Sequence, residues 1–408
     1  MIPFYTRKKD TLCGALIDIG SGSIAASIVL SRHSKELPEI LYTHRELMVI
    51  AGTTTPAHRV RSMQNALFLV MRELEQKGIP LLHTHTPDLR IQKILVSCAA
   101  PWSHTITQII HVEKDAPFTV TPHLIDEMIE HAYEKEQEAH AHTHEKVLKD
   151  VGQQIVEKSI IDVTLNGYSV QNPYNKKASE ITIAHLRGLV ADSILVALER
   201  VKKHIPSAID IHIHTSALIL YCVFRDLYPK TKNALIIDIS GETTEVSLMQ
   251  NSILYESITI AYGTHSLVRT IARSSKTIPE EARAYLRSYK QKVLSEFQEK
   301  VLVRVQKHYT QSLMTALTEL TTRYVLPQTV FLILDQNMEH FFTDTIENAM
   351  RGQTKKNIVL LSPQNIGNLA VRQDDVSVDP HLSLIARFFH KLHACGEIRE
   401  EEWEASLR

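Results

Sequence analysis

Residues 234–248 read "ALIIDISGETTEVSL", and residues 15–30 read "ALIDIGSGSIAASIVL". Each is an apolar run of strand length that ends near an aspartate, crosses a short loop of small polar residues and resumes as a second apolar run. That is the pattern of a β-hairpin whose tip follows a strand-terminal acid, Asp18 in the first copy and Asp238 in the second. Small residues at the first tip, Gly20, Ser21, Gly22 and Ser23, let backbone N–H groups converge on one concavity and let phosphate oxygens come close. The second copy offers Ser240, Gly241, Thr243 and Thr244. Mg²⁺ keeps several waters and takes only one or two carboxylates, so Asp18 and Asp238 are the candidate metal positions, acting through water. Two such tips facing each other would clamp a nucleotide from both sides. Either stretch alone is equally well read as an ordinary hairpin with a polar turn; the pair in matching contexts is the more specific signal. Neither a G-x-x-x-x-G-K-[ST] loop nor a dinucleotide-binding fingerprint occurs in the chain.

With 408 residues the chain is long enough for two or three domains, at roughly 150 residues each. Its 44% apolar and 22% charged residues are ordinary for a globular protein. The net charge of −1 argues against a generally basic nucleic-acid surface. Cys13, Cys98, Cys222 and Cys395 are far apart without a C-x-x-C pair, which fits reduced thiols and a cytoplasmic location. No apolar run reaches the length of about 18 residues that a membrane helix needs, and no signal segment is read at the start. The opening "MIPFYTRKK" has a composition that suits an anionic surface, although a frayed basic terminus is the simpler reading.

The periodicity mixes α and β throughout. A helix is expected over Val60–Lys77, stopping at Gly78 with Pro80 beyond it. "IQKILVSCAAPW" reads as a buried strand, and Thr121 with Pro122 opens a long helix as N-cap and first helical residue. Two alternating segments follow, so residues 89–187 are expected to form an α+β unit of strand, helix, strand, strand. From Ser266 to about Arg323 the apolar positions recur at helical spacing. "TVFLILD" then returns to a strand, and "HLSLIARFFHKLH" is expected as an amphipathic helix with Leu382, Ile385, Phe389 and Leu392 on one face.

These features resemble the actin and Hsp70-type ATPase superfamily, and more narrowly the bacterial cell-division family of FtsA and its relative PilM. The resemblance rests on the paired Asp-hairpins, on "ITIAYGTHSLVRTIARSSKTIPEEARAYLRSY" after the second tip, and on "SCAAPW" and "GYSVQNPYNKKASEITIAH" in the unit at 89–187. It implies an α/β, actin-like (ribonuclease H-like) two-lobed fold with an inserted SHS2 (1C) domain. The implied divisions are 1–88 and 188–230 for lobe 1A, 89–187 for the insertion, 231–265 and 327–408 for lobe 2A, and 266–326 for a helical 2B-like subdomain. ATP and Mg²⁺ are the implied cofactors. The implied role is a scaffold for cell division that self-associates and meets a tubulin-like division protein. A PilM-like platform that holds a pilus inner-membrane protein is the alternative, and an active ATPase or kinase is the third reading. Either scaffold would be peripheral to the inner membrane through its partners.

Departures from the family pattern favour a scaffold that hydrolyses weakly at most. The family's second loop is typically D-I-G-G-G-T-T-D, whereas this chain has "DISGETTE", with Glu242 carrying a carboxylate toward the phosphate position. Asp335, Gln336 and Asn337 stand where the family's glycine pair approaches adenosine. His131, His140, His142 and His144 are read first as a solvated histidine-rich surface rather than a metal site, and His212 and His214 as one polar strand face.

Overall fold

The computed structural model describes residues 11–49, 55–140, 152–202, 209–291, 293–334, 338–351, 356–361, 366–373 and 376–394. In the first sheet β1 (Thr11–Ile19) runs antiparallel to β2 (Ser23–Arg32), which runs antiparallel to β3 (Glu39–Leu47). On the other side of β1, β4 (Lys93–Cys98) and then β9 (Asp210–Thr215) add in parallel. The second half repeats this order. β10 (Ala234–Ile239), β11 (Thr244–Gln250) and β12 (Ile253–Ile260) are antiparallel neighbours, with β13 (Thr329–Leu334) and β14 (Asn357–Leu361) parallel beyond β10. The two Asp-hairpins therefore sit at equivalent corners of two equivalent sheets.

Both faces of these sheets are covered, which is why their central strands read as nearly unbroken apolar runs. Along β10, Ala234 and Ile236 face the core between the lobes, while Leu235, Ile237 and Ile239 face the outer helices. The inter-lobe core is filled by α5 (Ser216–Leu227) and α10 (Pro380–Ala394), which pack on both sheets. Leu382, Ile385, Phe389 and Leu392 are buried, but so are Leu384, Ala386 and Phe388. The last helix is thus buried nearly all round, with Ser383 and His390 enclosed beside the apolar residues and Arg387 and Lys391 on its more open side.

The outer face of the first sheet carries α1 (Pro56–Glu73) and α4 (Asp192–Lys202). α1 does not stop at Gly78: a π-turn, Leu74–Gly78, leads directly into α2 (Ile79–His85). Gly78 is helical and serves close packing, since a Cβ there would lie 3.0 Å from both Ile28 and Tyr42. The outer face of the second sheet carries α6 (Thr264–Ser275), α7 (Pro279–Arg287), α8 (Glu296–Thr321) and α9 (Glu339–Ala349).

The inserted stretch contains β5 (Ser103–Thr119), α3 (Pro122–His140), β6 (Gln153–Leu165), β7 (Tyr168–Ser169) and β8 (Lys177–Ala191), with its own small core. Thr121 caps α3 by accepting from the Leu124 N–H at 3.2 Å. The strand in "IQKILVSCAAPW" was expected inside this unit, but it is β4 and belongs to the first sheet between β1 and β9. Pairing within the insertion begins at Ser103, and one residue pair, Glu256 opposite Ile106, joins it to β12. His214 is not on an exposed polar face: its Nδ1 is 2.7 Å from the buried Glu157, which links the insertion to β9.

Candidate functional site

The two tips are built alike. Gly20 N–H donates to Ser23 O at 3.0 Å, and Ser240 N–H donates to Thr243 O at 3.0 Å, closing one four-residue turn in each lobe. The segment after β4 supports both. Trp102 Nε1–H donates to Gly20 O at 2.9 Å, and the Thr243 hydroxyl donates to Ala100 O at 3.0 Å.

The tips touch each other directly. Ser21 Oγ and Ser240 Oγ are 2.6 Å apart, and Ser21 Oγ accepts from the Glu242 N–H at 2.8 Å and the Thr243 N–H at 3.3 Å. With both acceptor positions of Ser21 used, its proton goes to Ser240, whose own proton reaches Thr243 O at 3.1 Å. This approach requires glycine, because a Cβ on Gly22 would stand 2.9 Å from the Gly241 Cα.

Below the tips a cleft of about 350 Å³ is lined by Asp18, Gly20, Ser21, Ser23, Asp238, Ser240 and Gly241. Gly22 lies in the contact between the tips, and Thr243 and Thr244 point elsewhere. The Thr244 hydroxyl donates to Tyr262 O at 2.7 Å and lies 2.6 Å from the Tyr309 hydroxyl, in the helical half of the second lobe. Asp335, Gln336 and Asn337, the basic opening residues, His140, His142, His144 and Cys395 were singled out in the sequence; their side chains lie outside the described structure.

Each acid expected to hold Mg²⁺ through water already faces a cation of the chain. Arg45 on β3 donates from Nη2 to Asp18 Oδ2 at 2.9 Å, from Nη1 to Ser23 Oγ at 2.7 Å, and to both oxygens of Asp379 at 2.6 and 3.0 Å. His381 Nε2 is 3.0 Å from Asp238 Oδ1. Asp379 and His381 flank Pro380 at the start of α10, so one helical turn ties the first lobe's acid to the second lobe's acid. Asp379 also caps that helix, accepting from the Leu382 N–H at 3.0 Å.

The electrostatics follow from this packing. Burial alone would raise the Asp379 carboxyl, but the Arg45 guanidinium outweighs it and holds it at about 2. Burial would likewise lower His381, yet Asp238 raises it to about 10, so the imidazole is cationic at neutral pH. Glu245, opposite Asp238 on β11, is pushed up to about 8 by burial and by that neighbouring acid.

Glu242 does not obstruct the cleft. Its carboxylate is held by Arg269 of α6 through contacts of 2.7 and 2.5 Å, and it is not among the lining residues. The residues present do not fit a Mg²⁺-nucleotide between the tips. The cation positions are filled by Arg45 and His381, the Glu242 and Thr243 N–H donors are taken by Ser21, and the tips leave no gap for a phosphate.

Arg45, Asp379 and His381 were not reached from the sequence. "DPHL" carries the Asp-Pro signature of a helix start, so the cap was legible, but its bond to Arg45 spans 334 residues and leaves no local trace.

A model of the Ppx/GppA phosphatase family matches residues 192–358. Among solved structures, PilM from a PilM–PilN type IV pilus biogenesis complex is 13% identical, with 92% of this chain and 95% of that chain covered and a TM-score of 0.55. The ethanolamine utilization protein EutJ from Carboxydothermus hydrogenoformans is 13% identical over 93% of this chain and 89% of that one, with a TM-score of 0.41. A Ppx/GppA family member from Aquifex aeolicus is 11% identical over 80% and 67%, with a TM-score of 0.33. No curated protein matches the sequence. The repeated sheets and the likeness to PilM define the class: this chain has the actin-like ATPase fold. Among the described residues no helix is long and apolar enough to cross a membrane.

Proposed function

We propose that this chain is a scaffold on the actin-like ATPase fold that does not hydrolyse ATP, working in the cytoplasm against the inner membrane by holding a membrane-protein partner, as a PilM-type platform. The observation that carries the reading is the internal pairing of both acids, Asp18 with Arg45 and Asp238 with His381. A hydrolase of this fold needs those carboxylates to hold metal and those tips to admit phosphate. Here the same groups fasten the two lobes together.

The PilM reading is supported by a likeness that runs over almost the whole of both chains. Apart from the two-residue β7, the order of residues 103–191 is strand, helix, strand, strand, consistent with an SHS2 (1C) unit that offers a surface for partners and for self-association. Affinity capture of the tagged full-length chain from its native cells tests the role. Recovery of pilus inner-membrane components is the expected result. Recovery of the tubulin-like division protein without them would assign the chain to cell division instead.

A further inference from the structure

Beside the paired acids, the cleft holds two guanidiniums that the fold does not use. Arg283 and Arg287 lie one turn apart on α7, both line the cleft, and neither side chain has an ion-pair or hydrogen-bond partner among the described residues. Asp18, Asp238 and Asp379, the cleft carboxylates among the described residues, are each within 3.0 Å of Arg45 or His381. Among the described residues, therefore, the cleft has cations without acceptors and no carboxylate without a cation.

We propose that this cleft binds a compact phosphate-bearing anion without a divalent metal, held by Arg283 and Arg287. The inference rests on the reading that Arg45 and His381 occupy the metal's place. Guanidinium forks match phosphate oxygens in bidentate geometry, and two of them at i, i+4 present parallel donors to one group. A volume of about 350 Å³ is at the small end of ligand pockets, which run from roughly 300 to 1,000 Å³, and suits a phosphorylated metabolite up to a mononucleotide. The anion sits in the cleft below the tips, so their mutual contact does not have to open.

Calorimetric titration of the full-length chain with inorganic phosphate, with ATP and with succinate, each in EDTA and in excess Mg²⁺, tests this. Phosphate or ATP should bind in EDTA, and Mg²⁺ should weaken ATP by masking its phosphates. The double variant Arg283→Gln/Arg287→Gln should lose about tenfold or more in affinity, as expected for charge-assisted pairs. Arg304→Gln, on the exposed side of α8, should lose nothing. Thermal unfolding checks the variants, and Arg287→Gln alone, at an exposed position, serves if the double variant does not fold. Binding that requires Mg²⁺, no binding of phosphate or ATP, equal binding of succinate, or an unaffected double variant would each overturn the proposal. Absence of binding would leave the scaffold reading standing. Mg²⁺-dependent binding with turnover would overturn both.

Discussion

Asp18 and Asp379 have side chains only 4% and 11% exposed, and Arg45 is the cation that both of them face. Removing it leaves two enclosed carboxylates without their guanidinium, and breaking such a pair typically costs about 3–5 kcal/mol. Arg45→Met should lower unfolding stability at neutral pH by about 3 kcal/mol, read from denaturant midpoints at constant slope. A loss within experimental error would mean that the acids are solvated and open to another ligand. The same cluster sets a pH window. Asp379, held down at about 2 from 3.8, contributes stability above pH 3.8 that is lost as pH falls through 2. His381, raised from 6.5 to about 10, contributes stability below pH 6.5 that is lost as pH rises through 10. Both contributions are complete only between pH 3.8 and 6.5. His381→Gln should flatten the alkaline limb of a stability–pH curve, and an unchanged limb would remove His381 from the account.

At the scale of elements, the hairpin tips and α10 act as one clasp. Gly22→Ala would press a methyl against Gly241 and His265, at distances of 2.9 and 2.7 Å from the new Cβ. Such overpacking typically costs about 1–3 kcal/mol, and thermal unfolding of that variant should show it. A neutral outcome would mean that the tips separate easily in solution. Phe389 of α10 is 1% exposed in the core between the lobes and lies against Gly14 of β1. Phe389→Ala should destabilise by about 3–5 kcal/mol and should loosen both sheets together in hydrogen exchange. Protection lost in only one lobe would contradict a shared core.

Periodicity announced α10 but not its enclosure. Leu382, Ile385, Phe389 and Leu392 mark one apolar face, and the second face becomes meaningful only when a second sheet is known to lie there. Gly78 misled for a related reason. Glycine after an apolar helix usually caps it, yet here tight packing on Ile28 and Tyr42 selects it inside a continuing helix.

Across the whole molecule, the duplicated Asp-hairpin pointed to two related lobes through the superfamily it resembles, and in the fold each copy starts a sheet with the same strand order. The candidate site was legible only on its acidic and small-residue side. Its cations come from β3 and from the first turn of α10, 27 residues from Asp18 and 143 from Asp238, and no spacing rule connects them. Glu242 looked obstructive for the same reason, since Arg269 on α6 is invisible until the helix folds back over the tip.

If these carboxylates fasten lobes through Arg45 and His381 rather than hold metal, Asp18 has no part in hydrolysis. Steady-state Mg-ATP hydrolysis by the wild-type chain and by Asp18→Ala, measured side by side, tests it most directly. The two proteins are expected to be indistinguishable, with no turnover above the assay background; robust hydrolysis by the wild-type chain that disappears in Asp18→Ala would contradict the fastening role.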